Sequence, residues 1–278
     1  MPRKLSLVGK LKLIQVTNIC LRKELEMIKL FKNELRKFLG LRRIYIVYLV
    51  TMLFSLLSIL SNNQKSALFT PISAIQLLNT TYIMAIVVSI FSYSFILETE
   101  NKTIKILRMK SIQPAKILFA KFLVGIVGML ILFLTVLIGT TAIASLIYEI
   151  KGVDVTFLKM HLSKELAIPF IAKVYFFQFL CSIFVFSVSF FISIIFNNII
   201  FTPIATTIFI MILDTLNMVK RYFSLVNYIP LNSNNVFREL VNQPDFSNLY
   251  RRTLVCLIYS ALLFLLSAYV YRKKDITA

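Results

Sequence analysis

The sequence predicts an all-α integral membrane protein, six transmembrane helices preceded by an amphipathic helix in the cytoplasmic interface. Composition is the first reason. Of 278 residues, 58% are apolar and 15% charged, against about 45–50% and about 25% in soluble domains. A globule of this size cannot hide so much apolar surface from water, and disordered chains are poor in apolar residues. The second reason is where charge is missing: no Asp, Glu, Lys or Arg occurs in Ile44–Gln64, Ser66–Leu97, Phe122–Tyr148, Val174–Leu213 or Thr253–Tyr271. The third is an excess of 31 Lys plus Arg over 12 Asp plus Glu, a formal charge of +19. In a soluble protein that excess points to nucleic acid. Beside long apolar runs it marks the cytoplasmic side of a membrane, and no nucleic-acid partner is expected.

Residues 1–26 are basic and lack the compact apolar core and small-residue cleavage site of a signal peptide. Arg22-Lys23-Glu24 is codable by a purine-rich stretch resembling a ribosome-binding site ahead of Met27. Two readings stand: translation starts at Met27, or the segment is a basic leader lying on the membrane. Residues 27–278 form one six-span domain. From Met27, the apolar residues Met27, Phe31, Leu35 and Phe38 recur at helical spacing among Lys29, Lys32, Arg36 and Lys37. This pattern predicts a helix lying in the interface, held to anionic lipid by about 1 kcal/mol per basic residue. It acts as an anchor or as a lever between a cytoplasmic partner and the first span.

A spanning helix needs roughly 20 predominantly apolar residues, so four of the charge-free runs hold one span each. The run from Val174 to Leu213 holds two, joined by a tight hairpin at Asn197-Asn198. The expected spans are 44–61, 74–97, 122–147, 172–196, 199–218 and 253–271. Five spans with one buried or re-entrant segment is the alternative. With six, both termini, the loop 98–121 and the Asn197-Asn198 turn share a side that carries 21 Lys and Arg, against 10 opposite. The richer side is the cytoplasm.

The loop after the second span carries the most chemistry. Glu98 and Glu100 close the span, Ile104, Leu107 and Ile112 offer an apolar face, and Lys105, Arg108 and Lys110 surround it. Pro114 then breaks the segment before the third span. Fixed between two spans, such an element suits docking on a soluble partner. A solvated positive-inside loop accounts for the Lys and Arg but less well for the paired Glu.

This segment resembles the first intracellular loop of type-two ABC transporter permeases. In that family an acidic residue closes the second span, a Gly-Thr and a basic residue follow, then a Pro turn and a Lys opening the third span. Glu98 or Glu100, Thr103, Lys105, Pro114 and Lys121 match, with Lys102 where Gly is common and Pro114 displaced. Met27–Lys37 and the closing Tyr271-Arg272-Lys273-Lys274-Asp275 are similar too, so the likeness covers about residues 27–278. It implies the membrane subunit of a bacterial ATP-driven exporter, multi-pass in the cytoplasmic membrane. Its partners are a separate ABC ATPase and either a second copy or a related permease. The ATPase-coupling residues it implies are Glu98, Glu100, Thr103, Ile104, Lys105, Leu107 and Arg108; Phe31, Leu35, Phe38, Lys32 and Arg36 belong to the interface helix. An antimicrobial peptide or other amphipathic compound is the expected cargo.

No enzyme and no cofactor are expected in this chain. It lacks the Gly-x-x-x-x-Gly-Lys-Ser/Thr phosphate loop, so ATP would be bound by the partner. His161 is the only histidine, and Cys20, Cys181 and Cys256 are scattered, which leaves no metal or disulfide framework. An ion-coupled secondary transporter places ionisable groups within its spans. Here Asp214 is the exception, read as a snorkelling interfacial carboxylate or, alternatively, a substrate contact. A non-catalytic scaffold or immunity protein is the third reading. Gly125, Gly128 and Gly139 predict close helix approach in the third span.

Overall fold

The computed structural model describes residues 27–60, 62, 64–80, 83–100, 113–155, 160–196, 198, 200–218, 230, 236 and 247–276. Helix α1 covers 27–39. It is followed by α2 (Arg42–Leu60), α3 (Phe69–Thr80), α4 (Ile83–Glu100) and α5 (Pro114–Ile147). Strands β1 (Val153–Val155) and β2 (Met160–Leu162) come next, then α6 (Lys164–Phe196), α7 (Phe201–Met218) and α8 (Ser247–Ile276).

Four described helices are long and apolar enough to cross a membrane: Arg42–Leu60, Ala115–Ile147, Lys164–Phe196 and Leu249–Lys273. A fifth span results if α3 and α4, which meet at 72°, count as one. Six straight spans are therefore not seen. The expected second span, 74–97, is two helices broken after Thr80. The apolar part of α7, Phe201–Leu216, is shorter than the others. At 1.5 Å per residue it reaches about 24 Å, less than the ~30 Å hydrocarbon layer.

The lipid environment sets the pattern of α2. Its buried positions include Thr51, Ser55 and Ser58, whereas Leu49, Leu53, Leu57 and Leu60 are exposed. Small polar residues let helices approach where no water drives apolar groups inward. Their hydroxyls are satisfied within the helix, on the carbonyls of Val47, Met52 and Ser55.

α5 begins at Pro114, seven residues before Lys121, so the third span is preceded by two turns of the same helix. Proline costs nothing at the first helical position, where its missing N–H would have no partner, and it holds Gln113 in an extended conformation. Asn198 opens α7, its Oδ1 accepting from the N–H groups of Ile200 (2.9 Å) and Phe201 (3.1 Å).

On the opposite side from α1, β1 and β2 form a short antiparallel hairpin with Asp154 opposite His161. Gln64 bonds the backbone of Asp154 in both directions, and Ser66 bonds the carbonyl of Lys151. The connections after α2 and α5 are thereby tied together.

α6 is the central helix and packs against α4, α5, α7 and α8. Phe177, Phe184, Phe186 and Phe190 are fully buried on it. Phe122 of α5 sits at the heart of this cluster, 5.3 Å from Phe186, 5.5 Å from Phe190 and 4.9 Å from Phe264 of α8 between ring centres. The expected close approaches occur on α5. A methyl group at Gly125 would lie 2.1 Å from the Phe186 ring, at Gly128 2.7 Å from Phe38, and at Gly139 2.3 Å from Met52. Asp214 corrects an expectation: it is buried, with Thr202, Thr206, Ile210 and Leu213 on the inner stripe of α7, and does not reach outward.

Candidate functional site

The richest polar geometry lies where α1 meets α5. Along α1 the buried residues are Leu30, Glu34 and Phe38, four apart and therefore in one line. Each has a counterpart on α5. Leu30 clusters with Ile117 and Ala120, Glu34 pairs with Lys121, and Phe38 fills the space left by Gly128. The order is the same on both helices, so α1 runs along the first turns of α5 in the same direction.

Glu34 is the chemical centre of this seam. Lys121 Nζ donates to its Oε2 at 2.7 Å, with the two side chains 4% and 3% exposed. Lys37 Nζ donates to Oε1 at 2.9 Å from three residues further along the helix. Burial pushes the carboxyl pKa up, but the charge and hydrogen bonds of Lys121, with those of Lys37, outweigh it and hold the group below its ordinary 4.5. Glu34 is thus ionised at neutral pH.

One turn on, Phe38 is wedged between Gly128 and Phe91 of α4, 5.7 Å away between ring centres. Tyr48 of α2 closes the junction: its hydroxyl donates to the carbonyl of Gly128 at 2.9 Å, and its ring lies 6.0 Å from Phe91. α1 is therefore fastened to both helices that flank the segment 101–112. No chemistry on a substrate follows from this arrangement; what it can do is transmit a displacement.

Phe31 and Leu35 are half-buried against the core, and Lys32 and Arg36 are exposed. Glu98 and Glu100 lie on the last turn of α4. Thr103, Ile104, Lys105, Leu107 and Arg108 lie outside the described residues, as do 1–26 and nearly all of the segment from Tyr228 to Phe246. Sequence reasoning missed Glu34 as a partner of Lys121. A carboxylate midway between Leu30 and Phe38 at helical spacing was the available signal. Among the described residues no group of His, Cys, Asp and Glu could hold a metal ion.

The sequence profile described as ABC-2 family transporter protein matches residues 30–214. The chain belongs to the ABC-2 transporter family. The match starts at Leu30 on α1 and ends at Asp214 on α7, so the α1–α5 seam lies wholly inside it. This ABC-2 protein is accordingly a permease, a membrane component that works with an ABC ATPase. No curated protein matches the permease.

Proposed function

We propose that the permease is the membrane-spanning subunit of an ATP-driven exporter. A separate ATPase engages the loop 98–121 through Glu98, Glu100, Thr103, Ile104, Lys105, Leu107 and Arg108. In this reading α1 lies in the cytoplasmic interface, both termini are cytoplasmic, and α7 completes a sixth span. A second copy or a related permease supplies the other half. The membrane is the bacterial cytoplasmic membrane, and the cargo is an antimicrobial peptide or another amphipathic compound.

The observation that carries the reading is the attachment of α1 to α5 at Glu34–Lys121 and Phe38–Gly128. α5 is the helix into which the loop runs, so a push on the loop reaches α1 and, through Gly40 and Leu41, α2. A buried ion pair at 2.7 Å is a stiff link, because separating its charges leaves each poorly solvated. Charge reversal at both Glu98 and Glu100 tests the coupling. Transport and ATPase co-purification should fall while membrane insertion persists. Unchanged transport and assembly would refute the role of the loop.

A further inference from the structure

The seam with α5 occupies only one side of α1. At about 3.6 residues per turn, Lys29, Lys32 and Arg36 fall on one stripe, opposite the buried line of Leu30, Glu34 and Phe38. All three are exposed, as is Arg42 at the head of α2. From Met27 to Leu60 the chain has a single acid, Glu34, and that carboxylate is turned inward onto Lys121. The exposed side of α1 and the head of α2 therefore carry cations and no carboxylate of their own.

What meets this surface follows from what adjoins it. Tyr45, Ile46, Leu49, Val50 and Leu53 are exposed along one face of α2, and a face so apolar is at home against acyl chains. Arg42 lies one turn ahead of Tyr45 and Ile46 on the same side, at the level where acyl chains give way to headgroups. On α1 the exposed Ile28 lies one turn before Lys32, so an apolar group accompanies the stripe. An acidic protein surface answers the cations alone. A phospholipid brings its charge and its acyl chains together.

We propose that Lys29, Lys32, Arg36 and Arg42 form a binding surface for anionic phospholipid headgroups, through which bilayer charge acts on α5. α1 is held on its other side by Glu34–Lys121 and Phe38–Gly128. A displacement of α5 that α1 follows shifts the stripe among the headgroups, so anionic lipid favours one position of α5 over another. The inference rests on the placement of α1 in the membrane interface and on the exporter reading, and it deepens them by naming a lipid class that regulates the permease.

The chain has no Trp, so Ile28→Trp and Tyr45→Trp each place a single fluorophore in the full-length permease. The probes are mixed vesicles of phosphatidylcholine and phosphatidylglycerol in which one lipid or the other is brominated on its acyl chains and quenches a neighbouring Trp. Phosphatidylglycerol should be preferred about fivefold beside either fluorophore, the equivalent of about 1 kcal/mol for one cation. Lys29→Gln, Lys32→Gln and Arg36→Gln together should bring the preference beside the Ile28→Trp fluorophore below about twofold, and Arg42→Gln should do so beside Tyr45→Trp. Arg36→Lys with Arg42→Lys should keep it, because a point charge suffices for a phosphate. With the ATPase bound, phosphatidylglycerol should change ATP hydrolysis at least about twofold, and should no longer do so once all four cations are Gln.

Equal quenching by the two lipids before any cation is replaced overturns the lipid surface and leaves α1 in the interface. No quenching by either overturns the interfacial placement as well. If the lipids quench alike and the Gln variants lose the ATPase, the cations serve an acidic protein and the proposal falls. A lipid preference with hydrolysis indifferent to lipid overturns the action on α5. A permease that binds no ATPase contradicts the exporter reading, and the quenching then decides the lipid surface by itself.

Discussion

Breaking the Glu34–Lys121 pair from either side should weaken the protein more than removing both charges together. The carboxylate and ammonium are 3% and 4% exposed and 2.7 Å apart, and deleting one member of such a pair costs about 3–5 kcal/mol. Lys37 softens one of the two losses. When Lys121→Met removes the inner ammonium, Lys37 still holds Glu34, but its side chain is 44% exposed and such a pair is worth up to about 1 kcal/mol. About 2–4 kcal/mol is therefore expected for Lys121→Met and about 3–5 for Glu34→Gln. The double variant Glu34→Leu with Lys121→Met should come within about 1 kcal/mol of wild type, since apolar replacements fill a buried ion-pair site at little cost.

Heat denaturation of the purified permease in detergent, at one fixed scan rate, reads these differences. At about 2–4 °C per kcal/mol, each single variant should lose at least about 4 °C and the double variant less than about 4 °C. A double variant as unstable as the summed singles would refute the coupling. pH supplies a second check. The folded pKa of Glu34 lies below its ordinary 4.5, so its stabilisation is complete above that value and is lost as pH falls through the folded pKa. The gap between wild type and Glu34→Gln should stay flat from about pH 6 to 8 and narrow below about pH 4.5.

Gly125→Ala should cost about 1–3 kcal/mol, because its methyl would meet the fully buried Phe186 ring at 2.1 Å. Gly139→Ala should cost less than about 1 kcal/mol, since it meets only the flexible end of Met52; equal falls in melting temperature would contradict this. Asn198→Ala removes the two hydrogen bonds that open α7 and should destabilise by about 1 kcal/mol in the same assay. Cysteines introduced at Lys32 and Lys151, in a background without native cysteines, report the topology. A membrane-impermeant maleimide should label Lys151→Cys in intact cells and Lys32→Cys only after permeabilisation, and the reverse pattern would invert the assigned orientation.

Long charge-free runs are local facts about the chain, and lipid demands apolar side chains of every spanning helix. Membrane insertion and most helix positions could therefore be read from residue order. The break after Thr80 escaped that reading because Ser66–Leu97 is uninterrupted by charge or by Gly; its mark is the short polar stretch Asn79-Thr80-Thr81, which lies inside the expected second span. The start of α5 escaped it for another reason. Along the chain Pro114 marks a break, whereas at the first position of a helix it is an initiator.

At the α1–α5 seam the same division appears residue by residue. Phe38 belongs to an apolar period and Gly128 to a pattern of small residues, and both are visible along the chain. Which two of them touch is not, because contact depends on how one helix lies on another. Glu34 and Lys121 show this most sharply: they are 87 positions apart, and each alone reads as a solvated surface charge. A charge can stay ionised in the interior only when its counterion is delivered there. The neutral amides of Asn79 and Gln178, 99 positions apart, likewise meet only in the packed bundle. Local composition suffices to choose the solvent for each helix, whereas pairing buried polar groups requires the packed bundle.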